Sequence, residues 1–292
     1  MEKHTHTQEE SDQIKEYERR LAAGLHPAPL VERVDLGEIA GQDNVRRVAE
    51  IEKIDQLSRS EVRGKKFVFH TPTKRLLWHA FGQEHIESEL LDFIDAIPDD
   101  DVYFDIGASN GIFSLYAAAT AKKVVCFEPE VANFSLLNYN TYLNHAAHKH
   151  AVSNFNIAIS DKMELGTVYV EKFEAGGHLK IVDNPVQRSD KSFAPDYKQA
   201  VLKYTLDDFL KLTGIASPNY VKIDVDGSEE QVLRGMSGVL KSPGLRKIFI
   251  ELEETGERYS ACEKILADAG FHIQSRKRVQ NYFGLDNIVF SR

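Results

Sequence analysis

Four acidic residues stand where strand-like runs end: Asp105 in VYFDIGASNG, Glu128 in KVVCFEPE, Asp224 in YVKIDVDG and Glu251 in RKIFIELEE. A carboxylate at the end of an apolar strand is costly to bury alone, so Asp224 either pairs structurally with Lys222 or an N–H cluster, or faces a site. Asp105 leads into a turn of small residues, Gly107, Ala108, Ser109, Asn110 and Gly111, which lets the backbone come close to a bound molecule. Glu128 follows about twenty residues later, and the order strand, glycine turn, helix, strand, acid is that of a fold that binds a nucleoside-containing cofactor. Glu128 can accept hydrogen bonds from both ribose hydroxyls. The alternative is a cap for the next helix, which Pro129 would open. Ser160 and Asp161, at the end of FNIAIS, are candidates to hold an adenine amino group, or form an ordinary Asx turn.

The cofactor itself is narrowed by the turn. A dinucleotide fingerprint has a third glycine, G-x-G-x-x-G; here Ser109 stands between Gly107 and Gly111. The acid at Asp105 would repel a pyrophosphate but suits a ligand with ammonium and sulfonium charges, so the turn favours S-adenosylmethionine. An NAD-dependent oxidoreductase and a noncatalytic cofactor-binding module of the same fold remain the alternatives.

Methyl transfer from an activated donor needs an acceptor held in line and, for an alcohol, a group to take its proton. Asp224 is the leading candidate to orient or deprotonate the acceptor, with Glu251 second. Asp226 shares a side of the strand with Asp224 by alternation, and Glu229 opens the next helix. Both are assigned to the acceptor, although an acid in a first helical turn also complements the helix dipole. Asp224, Asp226, Glu229 and Glu251 could together hold a divalent cation such as magnesium; metal binding is the lesser reading. His178, in EKFEAGGHLKIVDNP, is the other candidate base, on an irregular segment from Phe173 to Lys198 long enough for a lid. An exposed loop histidine is the alternative. Trp78 and Phe81 could cover the cofactor, but packing against the sheet is the favoured reading.

The elements that must position these groups alternate along the chain. Near-continuous apolar runs such as VYFDI and KVVCF are separated by helical segments, as in a parallel sheet covered on both faces. The last two strands, FHIQSRKRV and DNIVFSR, are joined by only NYFGL, too short for a crossover, so they should pair antiparallel. Residues 1–65 read as a charged helical extension, with helices near 8–23 and 43–58, and residues 66–292 as the catalytic domain. The arm either packs weakly on the main domain, or serves to form a homodimer or to gate substrate.

The chain has 292 residues and a net charge of −9, which argues against binding a nucleic-acid backbone. No apolar run approaches the roughly 18 residues of a membrane span, and the polar N-terminus is no secretory signal. A cytoplasmic protein with two unpaired cysteines, Cys126 and Cys262, is the expectation.

These motifs in this order resemble the FkbM-type methyltransferases. DIGASNG resembles their DVGANIG turn, FEPE with NYNTYLN their FEPNP…LN segment, and AISD their ALSD. TLDDFL followed by YVKIDVDGSEEQVLRGM resembles TLDDL…IKIDVEGAE, and GQEHIE a weaker G-x-E-x-x-E pattern. Ser109 and Asn110 depart from the Asn and Ile of that turn, and Asp226 replaces a Glu. The resemblance runs from about Gly82 to the C-terminus. It implies S-adenosylmethionine-dependent transfer to a hydroxyl oxygen of a small-molecule or carbohydrate acceptor. It also implies a class I methyltransferase fold: Rossmann-like α/β, with a mostly parallel seven-stranded sheet and an antiparallel C-terminal strand pair.

Overall fold

The computed structural model describes residues 7–22, 35–121, 123–146, 151–177, 179–185, 192–279 and 284–292. The chain divides into two compact units, 1–55 and 56–292. The first holds α1 (Gln8–Ala22), α2 (Leu36–Ala40) and α3 (Gln42–Ile51). Asp35 caps α2 by accepting from the amides of Gly37 and Glu38 at 2.8 and 3.2 Å. Where a helix was expected to run on to residue 58, α3 stops at Ile51. Leu57 and Ser58 instead open a hairpin that belongs to the second unit.

That hairpin, β1 (Leu57–Val62) and β2 (Lys65–His70), turns at Arg63 and Gly64, both left-handed. The boundary expected near residue 65 therefore falls inside a paired element. Next come α4 (Lys74–Phe81), α5 (Gln83–Asp95), β3 (Val102–Ile106), α6 (Ile112–Ala117), β4 (Lys123–Phe127), α7 (Val131–Asn144) and β5 (Ala151–Phe155). A second sheet is built from β6 (Ala158–Ile159), β7 (Glu164–Val170), β8 (Lys180–Val182) and β9 (Tyr197–Tyr204). The main sheet resumes after α8 (Leu206–Thr213) with β10 (Tyr220–Ile223), then α9 (Glu229–Gly235), α10 (Ser237–Lys241), β11 (Lys247–Glu253), α11 (Glu257–Asp268), β12 (His272–Arg278) and β13 (Leu285–Ser291).

The main sheet runs β12-β13-β11-β10-β3-β4-β5. β11, β10, β3, β4 and β5 are parallel, while β13 runs antiparallel to both β11 and β12. This is the class I arrangement expected from the alternation of elements and the short last connection. Alternation along the strands makes two cores: Phe104, Ile106, Val221 and Ile223 pack on one face, and Tyr103, Val124, Cys126 and Phe249 on the other. Asp105 and Lys222 fall on that second face.

The second sheet departs from expectation. FNIAIS was read as one strand, but Phe155 ends β5 and Ala158–Ile159 pair with β9. Between them Asn156 turns the chain, its side-chain amide donating to the carbonyls of Glu128 and Pro129 at 2.9 and 3.0 Å. β9 begins at Tyr197, where only an irregular lid was expected, and pairs antiparallel with β7. Its buried Lys203, paired with Glu164 at 2.7 Å, masks the apolar alternation. No helix among the described residues is long and apolar enough to cross a membrane.

Candidate functional site

The turn after β3 is tied to its neighbours through backbone. The amides of Gly107 and Ala108 donate to the Phe127 carbonyl at 2.9 and 3.1 Å. Gly107 has φ +85°, and a Cβ there would lie 1.8 Å from the Asp224 carbonyl oxygen, so the ends of β3 and β10 meet with no room for a side chain. Ser109 is left-handed too, at φ 49°. Its amide donates to Glu128 Oε2 at 2.8 Å, and the Glu130 amide donates to Oε1 at 2.9 Å. Glu128 thus clamps both turns. Burial pushes its carboxyl up to about 7, against the opposing pull of these two amides.

Over these strand ends opens a cavity of about 1320 Å³. Gly107, Ser109, Glu128 and Pro129 line it on the β4 side, together with Ile157, Ala158 and Ile159. Asp224, Asp226 and Glu251 line it on the β10–β11 side, with Trp78, His79 and Glu87 from α4 and α5.

Asp105 lies beneath the turn instead of at the cavity wall. Its Oδ2 accepts from Ser114 Oγ at 2.6 Å, and its Oδ1 is 3.2 Å from Lys222 Nζ. Lys222 is buried, donates to the Gly107 carbonyl at 2.8 Å and stands 3.5 Å from Asp224 Oδ2. Burial alone would lower the Lys222 ammonium's pKa; the Asp105 and Asp224 carboxylates outweigh it and raise it. Ala108, Asn110 and Gly111 also lie behind the wall. Gly111 caps α6. The Asn110 carbonyl accepts from Asn140 Nδ2 at 2.9 Å, and Asn110 Nδ2 is 3.0 Å from His79 Nδ1. Ser160 and Asp161 are turned away: the Ser160 amide donates to the Tyr204 carbonyl and its Oγ to Asp161 Oδ1. The apolar Ile157, Ala158 and Ile159 stand in that part of the wall.

The expected acceptor residues separate into different tasks. Asp224 is part-exposed and Glu251 is buried at the wall. Asp226, left-handed at φ 55°, accepts from the amides of Leu179 and Lys180 at 3.1 and 3.4 Å and so anchors the described residues of the 171–180 segment. That segment is held further by Lys180, 2.6 Å from Glu130, and by the Gly176 amide on Asn133 Oδ1 at 2.8 Å. Glu229 is buried and accepts from the Gly227 amide at 3.0 Å, the helix-opening alternative. Among the described residues no group of three or more His, Cys, Asp or Glu side chains converges as a cation site, so Asp224, Asp226 and Glu251 do not assemble one. His178 lies outside the described residues.

Two residues of α4 do not pack on the sheet as expected. Trp78 is 52% exposed and Phe81 55% exposed. The Trp78 ring stacks on His85 at 5.9 Å and 22°, at the cavity rim. A Cβ at Gly82 would lie 2.9 Å from the Trp78 ring. Glu87, the last residue of GQEHIE, also lines the cavity, at a break in α5 that the sequence does not signal.

A family model described as the methyltransferase FkbM domain matches residues 105–273, more than half of the chain. Methyltransferase 1 of Beauveria bassiana is 25% identical over 190 residues, covering 60% of this chain and 74% of that protein. The hexuronic acid methyltransferase AglP of Haloferax volcanii is 24% identical over 214 residues, covering 72% of this chain and 80% of that protein. A solved structure, methyltransferase FkbM from Methylobacillus flagellatus, aligns with a TM-score of 0.43 and 15% identity over 67% of this chain. This chain spans 44% of that longer chain.

Proposed function

The chain belongs to the FkbM methyltransferase family, and we propose that it transfers a methyl group from S-adenosylmethionine to a hydroxyl oxygen of a sugar or glycosylated acceptor. The observation that carries the donor half is the Glu128 clamp: a buried carboxyl at the cavity wall, fixed by two backbone amides beside a turn in which Gly107 leaves no room for a Cβ. Such a wall fits a nucleoside, since Glu128 can accept from the ribose hydroxyls. Pro129, Ile157, Ala158 and Ile159 supply apolar surface for the purine. When bound, the cofactor supplies an activated methyl on a sulfonium.

The chain's own residues would then bind and orient. Asp105 and Asp224 place negative charge around Lys222 below and beside the turn. Asp224 orients the acceptor hydroxyl, and Glu251 holds a second acceptor group. Positioning of this kind supplies most of what an in-line displacement needs. The relative that methylates hexuronic acid supports a carbohydrate acceptor.

Calorimetry with S-adenosylmethionine, S-adenosylhomocysteine and NAD tests the donor, and a panel of methyl glycosides with labelled cofactor tests the acceptor. Micromolar binding of both sulfur compounds and none of NAD is expected. Failure of both sulfur compounds to bind would sink the reading.

A further inference from the structure

We propose that Glu87 is the general base that takes the acceptor's hydroxyl proton, with Asp224 as its orienting partner; this rests on the methyltransferase reading above. Glu87 sits inside α5 yet has φ −147° and ψ 75°, an extended conformation where the helix should continue. Helix breaks usually have a proline, glycine or inserted group to explain them; neither proline nor glycine adjoins Glu87, whose neighbours are Ile86 and Ser88. Glu87 lines the same cavity as Asp224 and Glu251. There, among the described residues, its Oε2 is buried with no hydrogen-bond partner, a costly state for a carboxyl oxygen unless a ligand completes it.

The surrounding charges suit a proton acceptor. Glu87 faces Lys222 from β10, Asp224 just past the end of that strand, Asp105 from β3 and Glu89 from its own helix, with the buried Tyr103 hydroxyl nearby. Burial first, then Asp224, Glu89 and Asp105, push its carboxyl up to about 8, with Lys222 opposing. A carboxylate of that basicity accepts a proton from a hydroxyl more readily than an ordinary one. Asp224, by contrast, already shares its charge with Lys222 at 3.5 Å.

In the step, the acceptor O–H bond breaks and its proton passes to a Glu87 oxygen. The acceptor oxygen takes the methyl carbon, and the electron pair of the broken C–S bond stays on sulfur. The proton then leaves from Glu87 to solvent.

The first test needs no acceptor. In protein labelled with carboxyl-¹³C glutamate, one resonance should titrate near pH 8 and be missing from Glu87→Gln. If no glutamate titrating above pH 7 disappears in that variant, the proposal is overturned. The second follows the pH profile of methyl transfer to whichever methyl glycoside the panel turns over. The wild-type rate should rise to a plateau above pH 8, and Glu87→Gln should lose the rise and about 100-fold or more in rate. Glu87→Asp should keep a shifted rise. A Glu87→Gln enzyme with the wild-type rate and profile overturns the assignment. S-adenosylhomocysteine should bind Glu87→Gln as it binds the wild type. Absence of binding to the wild type itself counts against the methyltransferase reading instead. If no glycoside is turned over, the resonance titration decides.

Discussion

The two walls of the cavity hold their polar groups by different means. At the β3–β4 wall the contacts are made by backbone: amides of Gly107 and Ala108 on a carbonyl, and amides of Ser109 and Glu130 on one carboxyl. At the β10–β11 wall they are made by side-chain charge, with Lys222 serving Asp105, Asp224 and, at longer range, Glu87. A backbone-built wall keeps its shape whatever the surrounding charge. A wall balanced on one buried ammonium can change with every titration or substitution near it. The first kind suits a ligand that never varies, and the second suits an acceptor whose proton must move.

The sharpest way to break this contrast is to remove the ammonium. Lys222→Met leaves Asp105 buried without its partner, and breaking a buried pair in this way typically costs about 3–5 kcal/mol. Urea unfolding should show that loss. The double variant Asp105→Asn, Lys222→Met should recover a large part of it, since neither remaining group is charged. A Lys222→Met protein within about 1 kcal/mol of wild type would show that the charged wall is not organised around this residue.

How far the sequence reveals each wall follows from the same contrast. The glycine turn and Glu128 are visible because local chemistry dictates them: Gly107 must be small and left-handed wherever the fold puts it. The sheet's antiparallel end is likewise visible, because a short connection permits nothing else. Asp105 is different. Its place under the turn depends on register, which sets Lys222 directly beside it across β3 and β10. Nothing within either strand's own sequence states that pairing. The apolar stretch of the cavity wall at Ile157, Ala158 and Ile159 depends on Asn156 leaving the main sheet to bond two carbonyls of the next loop. Glu87 depends on a break in a helix whose apolar spacing reads as continuous. Asp226 and Glu229, read as acceptor ligands, accept from backbone amides distant or local, contacts that residue type alone does not distinguish from ligand binding.

A smaller effect separates the walls by pH. In the folded protein the Glu128 carboxyl is raised to about 7 from an unfolded value of 4.5. The folded state therefore holds a proton that the unfolded state has lost, and the contribution of Glu128 to stability falls as pH rises from about 4.5 through 7. In the proposed complex the ribose hydroxyls would donate to the ionised form, so binding should move the other way. S-adenosylhomocysteine should bind about tenfold more tightly at pH 8 than at pH 6, the fraction ionised rising by that factor across a group titrating near 7. Glu128→Gln should bind more weakly and lose the slope. Calorimetry across this range in both proteins isolates Glu128 from Glu87, which remains in both. A slope that survives in Glu128→Gln would move the titrating group to the other wall.

The smallest expected effect concerns Asp226, where a charge on the β10–β11 wall does a backbone-like job. Its Oδ2 accepts from the amides of Leu179 and Lys180, while its own backbone sits at φ 55°, a conformation that asparagine and aspartate tolerate better than most residues. Asp226→Asn keeps an oxygen acceptor and the tolerated backbone, so it should stay near wild type. Asp226→Ala loses both hydrogen bonds and should cost about 1 kcal/mol, with faster amide exchange across residues 171–180. Asp226→Gly relaxes the backbone but still frees the segment, so it should match wild type in stability more closely than alanine does while exchanging as fast. If asparagine loosens the segment as much as alanine, the charge matters and the β10–β11 wall is electrostatic throughout. If only alanine and glycine loosen it, geometry holds this corner, and the division between the two walls runs through Asp226 itself.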